Sequence, residues 1–246
     1  MTSQTTRNAI VTGASRGIGR AVAVRLAAEN YSVVVGYAGR RDGADETVEA
    51  VVAAGGRAVA AQADVADEAQ VSALFDLAES TYGGIDAVVH AAGKMTLAPV
   101  ADLDLTVLDD LYRTNVRGTF AVAQQAARRL RAGGALVTFS SSVVGLAFPT
   151  YAPYAASKGA VEALTLILAR ELRGSDVTVN AVAPGPTATE LFLDGKDAAT
   201  IDHLAKQAPL ERLGTPEDIA EAVTFLVSPA GHWVNGQVLR TNVGII

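Results

Sequence analysis

Cysteine is absent from the 246-residue chain. That excludes disulfides, thiolate metal sites, iron–sulfur clusters and cysteine nucleophiles. Histidine is scarce. His90, His203 and His232 are the only three, and their spacing fits no metal-binding motif, so no metal is expected. No apolar run approaches the 18 or so residues of a membrane span, and no membrane partner is expected. Acidic residues outnumber basic ones, 26 to 20, for a net charge of −6. A nucleic-acid binder carries a basic face, so nucleic acid is not an expected partner either. Charged residues make up only 19% of the chain and hydrophobic ones 50%, the reverse of a disordered composition. Residues 1–8 are polar and lack an apolar signal core, so a cytoplasmic location is expected.

What the chain does have is Gly, Ala and Val in alternating blocks. Its length suits one large α/β domain or two small ones. No linker, repeat or low-complexity stretch divides it, so a single domain over 1–246 is predicted. Apolar β-branched runs predict strands over 8–12, 33–35, 58–62, 87–91, 135–139, 177–182 and 237–240. Helical spacing, such as Ile18, Val22 and Leu26, predicts helices between them. One starts at Asp67 with Asp64 or Asp67 as its cap. A long helix is predicted over 105–130, ended by Gly133-Gly134. Another, over 155–172, is apolar almost all round. Thr215-Pro216-Glu217-Asp218 reads as a helix start, with a cap, a proline at the first position and an acidic first turn. Strands rich in Val and Ala on both faces imply a parallel sheet covered on both sides by helices. The right-handed crossover rule makes that an α/β doubly wound sheet of about seven strands.

The first strand runs into Thr12-Gly13-Ala14-Ser15-Arg16-Gly17-Ile18-Gly19 and then a helix. Glycines there permit a tight turn and let backbone approach a phosphate, while the helix start offers free N–H groups. The loop also fits G-x-S-x-G, a serine-hydrolase elbow, with Asp218 and His232 following Ser15 in the required order. An elbow belongs on a central strand, however, and this one ends the first.

Several motifs together resemble the short-chain dehydrogenase/reductase family, and within it carbonyl reductases of the 3-oxoacyl-carrier-protein-reductase type. They are Thr12, Gly13, Gly17 and Gly19 in the loop, Asp64-Val65 after the third strand and His90-Ala91-Ala92-Gly93 after the fourth. Asn115, Ser140-Ser141-Ser142, Tyr154-x-x-x-Lys158 and Asn180-Ala-Val-Ala-Pro-Gly185 follow in order. The resemblance covers essentially the whole chain. It implies a Rossmann-type fold, NADPH (NADP+) as cofactor, and Asn115, Ser141, Tyr154 and Lys158 as the catalytic set. Spacing before Tyr154 favours Ser141 as the serine, whereas the following Val143-Val144-Gly145 favours Ser142; Ser141 is taken. The cofactor residues it implies are Gly13, Ser15, Arg16, Gly17, Ile18, Gly19, Tyr37, Arg40, Asp64, Val65, Ala91, Ala92, Gly93, Tyr154, Lys158, Pro184, Gly185, Thr187 and Thr189. It further implies a homotetramer formed through helix 155–172 and its neighbour. Two departures stand out. His90-Ala91 replaces an Asn pair, which is expected to loosen a turn. Val243 replaces a glycine, and since Val tolerates positive φ poorly, a rearranged tail is expected.

Tyr154 and Lys158, four apart, share a helix face. A phenol titrates near pH 10. An ammonium about 4 Å away, at an effective dielectric of about 20, is worth roughly 4 kcal/mol, about three pKa units. That would bring the tyrosine near neutrality, where acid–base transfer works best. The implied chemistry is hydride exchange between nicotinamide and a carbonyl or alcohol. Tyr154 moves the proton, Ser141 orients the oxygen, Lys158 holds the nicotinamide ribose, and Asn115 anchors a water in a proton relay. The second strand is followed by Tyr37 where NAD-binding folds carry an acidic residue, and Arg16 and Arg40, with Arg41 weaker, are placed to read a 2′-phosphate. The segment 187–214 is too long for a plain connection and reads as a substrate lid. It carries Leu191, Phe192 and Leu193, with Phe148 and Tyr151 nearby, so an apolar ketone or aldehyde is the expected substrate. A serine hydrolase built on Ser15 and a non-catalytic dinucleotide sensor are the competing readings.

Overall fold

The computed structural model describes residues 6–246; residues 1–5, most of the polar N-terminal stretch, lie outside the described residues. Seven strands form one all-parallel sheet in the order β3-β2-β1-β4-β5-β6-β7. They are β1 (Arg7–Thr12), β2 (Tyr31–Tyr37), β3 (Arg57–Gln62), β4 (Ile85–His90), β5 (Leu130–Phe139), β6 (Thr178–Pro184) and β7 (Val238–Thr241). The predicted doubly wound sheet is present, and the strand order reverses between β1 and β4. Ligands in such sheets bind outside the carboxyl ends of the strands at that reversal.

Alternation along each strand divides the core in two. Val11, Val33, Val35, Val89 and Val137 face one layer, with α1 (Gly17–Ala28), α2 (Arg41–Ala53) and α10 (Pro216–Val227). Ile10, Val34, Val88, Leu136 and Val179 face the other, with α3 (Glu68–Tyr82), α5 (Gly118–Arg129) and α7 (Ala152–Glu171). Both faces are dry, which is why the strands read as unbroken apolar runs. Helix α10 begins with the expected proline and a full capping box between Thr215 and Asp218. The cap of α3 is Asp67, whose carboxylate accepts from the Ala69 and Gln70 amides. Asp64 instead accepts from Ala66 N–H and pairs with Arg113.

Three expectations change. The predicted single helix over 105–130 is three segments: α4 (Leu105–Tyr112), a π-helical turn (Arg113–Arg117) and α5. Apolar spacing does not register one extra residue in a turn, and such bulges concentrate at functional sites. The Gly133-Gly134 pair does not end that helix. It lies inside β5, at the irregular start where the pairing with β4 shifts register. The His90 turn is braced, not loosened: the buried ring bonds Thr12 Oγ1 through Nδ1 at 2.9 Å, tying β4 to β1.

The C-terminal turn passes through the left-handed region at the valine itself. Val243 adopts φ +49 and Gly244 φ +81. The buried Asn242 enforces this by donating to Ser142 Oγ at 3.0 Å and accepting from Gly244 N–H at 3.2 Å. A β-branched residue in the left-handed region costs about 1–3 kcal/mol, against about 0.5–1 kcal/mol for a glycine's extra unfolded-state entropy. Val243→Gly is therefore expected to stabilise the protein by about 1 kcal/mol and raise Tm by about 2–4 °C. Calorimetry checks this, and a lowered Tm would show the valine unstrained.

Candidate active site

The glycine loop leaves β1 at the strand-order reversal and lies flush against the turn after β4. Gly13 has φ +66, and a Cβ there would stand 2.7 Å from the Ala92 nitrogen. A Cβ on Gly19 would stand 2.3 Å from the Gly13 carbonyl. The loop can close only without side chains at those positions. It presents the start of α1 with no acidic residue in its first turn and no side-chain cap from Arg16, so its free N–H groups suit an anion. Around it runs an open cleft walled by the loop, Tyr37, Arg40, Asp64, Val65, Ala91, Ala92, Gly93 and Thr189. A dinucleotide fits this cradle.

A second cleft continues from it and shares Ile18, Ala91, Gly93, Lys94, Thr189 and Leu191. Ser141, Tyr154, Lys158, Pro184, Gly185 and Thr187 line it. Helix α7 places Tyr154 and Lys158 in its first turns, both buried. The serine alternatives separate by partner. Ser140 donates to Glu162 at 2.6 Å, and Ser142 donates to the Ala183 carbonyl while accepting from Asn242. Ser141 accepts only from the Val143 amide, at 3.4 Å, and lies beside the Tyr154 phenol, whose titration it lowers.

The expected acidic tyrosine is not found. Burial pushes Tyr154 up to about 12, against a smaller lowering by the Ser141 hydroxyl beside it. Burial likewise pushes Lys158 down to about 8. The geometry explains it. Lys158 Nζ donates to the Phe139 carbonyl at 2.8 Å and lies over the tyrosine ring, 5.6 Å from its centroid. The ammonium is hydrogen bonded to that carbonyl and not to the hydroxyl, so desolvation wins.

Asn115 sits in the π-helical turn, buried, and does not line either cleft. Its side chain accepts from Lys94 N–H at 2.8 Å and donates to the Lys94 carbonyl at 2.9 Å and the Ser157 hydroxyl at 3.0 Å. Ser157 in turn donates to the Tyr154 carbonyl at 2.7 Å. Asn115 thus clamps the turn after β4 to α7, and a Cβ on Gly93 would meet both Asn115 Oδ1 and Lys158 Nζ.

The hydrolase constellation does not assemble. Asp218 is taken up by Arg212 and its own cap, and His232 pairs with Asp176 at 2.9 Å. Burial pushes His90 down to about 3, which leaves it neutral. No group of three potential metal ligands occurs among the described residues, and no helix among them is long and apolar enough to cross a membrane.

The lid is pinned at its base, where Thr187 bridges Gly214. It holds two short helices, α8 (Glu190–Leu193) and α9 (Ala198–Gln207), beside α6 (Val143–Leu146) across the cleft. Leu191 and Phe192 line the substrate end as expected; Leu193 does not. Met95, Leu146 and Leu204 join them, unmarked by any motif in the sequence. Arg16 and Arg40 converge as expected, but on a side chain that sequence reasoning passed over. Both pair with Glu190, Arg40 at 2.6 Å, and hydrogen bonds from Arg16 and then Arg40 hold its carboxyl below the usual range. Arg41 pairs with Asp45 instead.

A family model described as enoyl-(acyl carrier protein) reductase matches residues 13–245. A short-chain type dehydrogenase/reductase of Picea abies is 43% identical, over 97% of this chain and 92% of the relative. This chain belongs to the short-chain dehydrogenase/reductase family. Within the family, an NADPH-dependent aldehyde reductase-like chloroplastic protein of Arabidopsis thaliana is 37% identical over 98% of this chain and 94% of that one. A short-chain dehydrogenase of Burkholderia cenocepacia, solved in complex with NADP, superposes with TM-score 0.91 at 36% identity, covering 98% of both chains.

Removing the Asn115 clamp leaves buried partners unmatched, at about 1–3 kcal/mol for each group left unsatisfied. Asn115→Ala is expected to lose about 2 kcal/mol or more in urea denaturation. A loss under about 0.5 kcal/mol would show that the clamp does not hold these elements together.

Proposed function

We propose that this oxidoreductase reduces apolar aldehydes or ketones with NADPH through Tyr154. The buried Tyr154 phenol, beside Ser141 in the wall of an apolar cleft that adjoins the glycine-loop cradle, carries this reading. The coenzyme is NADP(H), in keeping with the names of the Arabidopsis relative and the Burkholderia complex. Gly13, Ser15, Arg16, Gly17, Ile18 and Gly19 hold its phosphates, and Tyr37 and Arg40 stand at the adenosine ribose. Asp64 and Val65 stand at the adenine. Ala91, Ala92, Gly93, Lys158, Pro184, Gly185, Thr187 and Thr189 line the way to the reacting end.

When bound, NADPH supplies the hydride that the carbonyl carbon receives. The side chains do the rest. Tyr154 gives its proton to the carbonyl oxygen, and Ser141 donates a hydrogen bond to that oxygen and orients it. The Lys158 ammonium favours the phenolate left behind. Burial keeps the phenol protonated through neutral pH, so it stands ready as a donor. Phe148, Tyr151, Leu191, Phe192 and Leu204 wall the substrate end, and Lys94 at its edge is paired with Asp110. Neutral apolar substrates suit such walls.

Leu166 and Ile167 on α7 and Phe120 on α5 are exposed. Exposed apolar residues on adjacent helices support a homotetramer with these helices at its interface. Light scattering is expected to give four times 25.3 kDa; a monomer at micromolar concentration would overturn it.

The deciding assay supplies NADPH with aromatic aldehydes, ketones and α,β-unsaturated carbonyls and identifies the product. Alcohols are expected; saturated carbonyls would point instead to double-bond reduction. Tyr154→Phe should fold normally and lose at least about a hundredfold in kcat. Reduction needs the Tyr154–Lys158 pair fully protonated, and oxidation of the alcohol needs it short of one proton. Lys158 lies near 8, so reduction should fall and oxidation rise as pH climbs through about 8. Near-normal turnover in Tyr154→Phe would sink the mechanism.

A further inference from the structure

Glu190 is the first residue of α8, directly after the capping Thr189. One of its oxygens, Oε2, takes both Arg16 from the glycine loop and Arg40 from the turn between β2 and α2. Those two guanidinium groups come from two neighbouring loops, and the lid, far along the chain, brings an anion between them. All three side chains remain about half exposed, so solvent and a soluble anion can reach the same place. Beside them a Cβ on Gly39 would meet nothing within 4 Å, and the space is continuous with the dinucleotide cleft.

We propose that Glu190 is a coenzyme-specificity and lid-positioning residue, its carboxylate standing in for the 2′-phosphate of NADP(H) between Arg16 and Arg40. This rests on the NADPH reading above. A phosphate dianion and a carboxylate ask the same two guanidinium groups for the same hydrogen bonds. An incoming 2′-phosphate therefore displaces Glu190, and with it the first turn of α8. The neighbouring residue, Leu191, lines both clefts, and Phe192 lines the substrate end. Thr189 packs on the glycine loop, within 3.5 Å of where a Cβ on Gly17 would stand. Release of Glu190 is thus felt at the wall of the substrate pocket. A coenzyme without the 2′-phosphate leaves Arg16, Arg40 and Glu190 joined, and the lid held. The 2′-phosphate is in this way both recognised and coupled to substrate access.

The test uses adenosine 2′,5′-bisphosphate and, as control, adenosine 5′-monophosphate, with the full-length protein and its Glu190→Gln variant. Calorimetry is expected to show the bisphosphate binding about three- to thirtyfold tighter to Glu190→Gln than to the parent, since two exposed ion pairs no longer compete. The monophosphate should bind both equally. Hydrogen exchange supplies a readout that lost packing alone would not move. In the parent, the bisphosphate but not the monophosphate should speed exchange of the 187–193 amides. In Glu190→Gln these amides should exchange fast already and not respond. Equal bisphosphate affinity in parent and variant, or exchange indifferent to the bisphosphate in the parent, overturns the role of Glu190 and leaves the coenzyme reading standing. Failure of the parent to bind the bisphosphate at all overturns both.

Discussion

Where β1 and β4 part, the backbone of Gly13 lies against Ala91 and Ala92 with no room for a single added carbon. The contact sits at the strand-order reversal, so whatever fixes it also fixes the mouth of the binding cleft. Thr12 holds it from one side: its hydroxyl bonds His90 and accepts from Ala92 N–H, and its carbonyl accepts from Ala91 N–H. Gly93 and Lys94 follow at once, and Asn115 binds Lys94 by both of its backbone groups. Through Ser157 the same asparagine reaches α7 and the carbonyl of Tyr154. A series of hydrogen bonds therefore runs from the glycine loop to the backbone of the helix turn that carries Tyr154. Thr12, His90, Asn115 and Ser157 are buried, where an unmatched partner is costly.

The electrostatics of the site depend on the same burial. An ammonium close to a phenol ought to acidify it, but its attraction competes with the cost of taking both groups out of water. Here Lys158 spends a proton on the Phe139 carbonyl and lies over the ring. Removing two ionisable groups from water then dominates, raising the acid and lowering the base. The outcome favours a proton donor over a proton acceptor at neutral pH, which is the polarity that carbonyl reduction needs.

Most of the fold was legible because parallel strands and amphipathic helices write their burial directly into the chain. All seven strands appear within a few residues of their predicted bounds. The misses share a cause: each depends on a partner far away in sequence. One apolar repeat cannot reveal the π-helical turn, which is set by Asn115 bonding Lys94 and Ser157. A glycine pair reads as a helix stop unless the register shift against β4 is known. His90 seemed a weaker brace than asparagine only while Thr12, 78 positions away, was not placed beside it. Val243 holds its left-handed turn because Ser142 and Asn242 meet. At the site, the residue types were legible and their choice of partner was not. Three consecutive serines are indistinguishable in sequence, and separate only when Glu162, Tyr154 and Asn242 each come to face one of them.

Glu190 is the sharpest instance, since it lies 174 positions from Arg16 and 150 from Arg40. Reading Arg16 and Arg40 as cations open to a ligand follows from the sequence, because the carboxylate that pairs with both lies in the distant lid. Yet two like charges brought together repel, and an exposed pair gains little from any single partner. A folded chain that gathers guanidinium groups for a ligand's anion is better balanced with a movable anion of its own. The lid is the element suited to supply it. Its ends are bridged at Thr187 and Gly214, which fixes its base, while its tip carries two short helices with no buried residue in either. A segment anchored only at its base and lightly packed at its tip can exchange one anion for another at small cost. The same lack of packing leaves Leu191 and Phe192 free to follow. One segment therefore holds an ionic contact at one end of the ligand cleft and an apolar wall at the other, and a change at either end is transmitted by a single turn of helix.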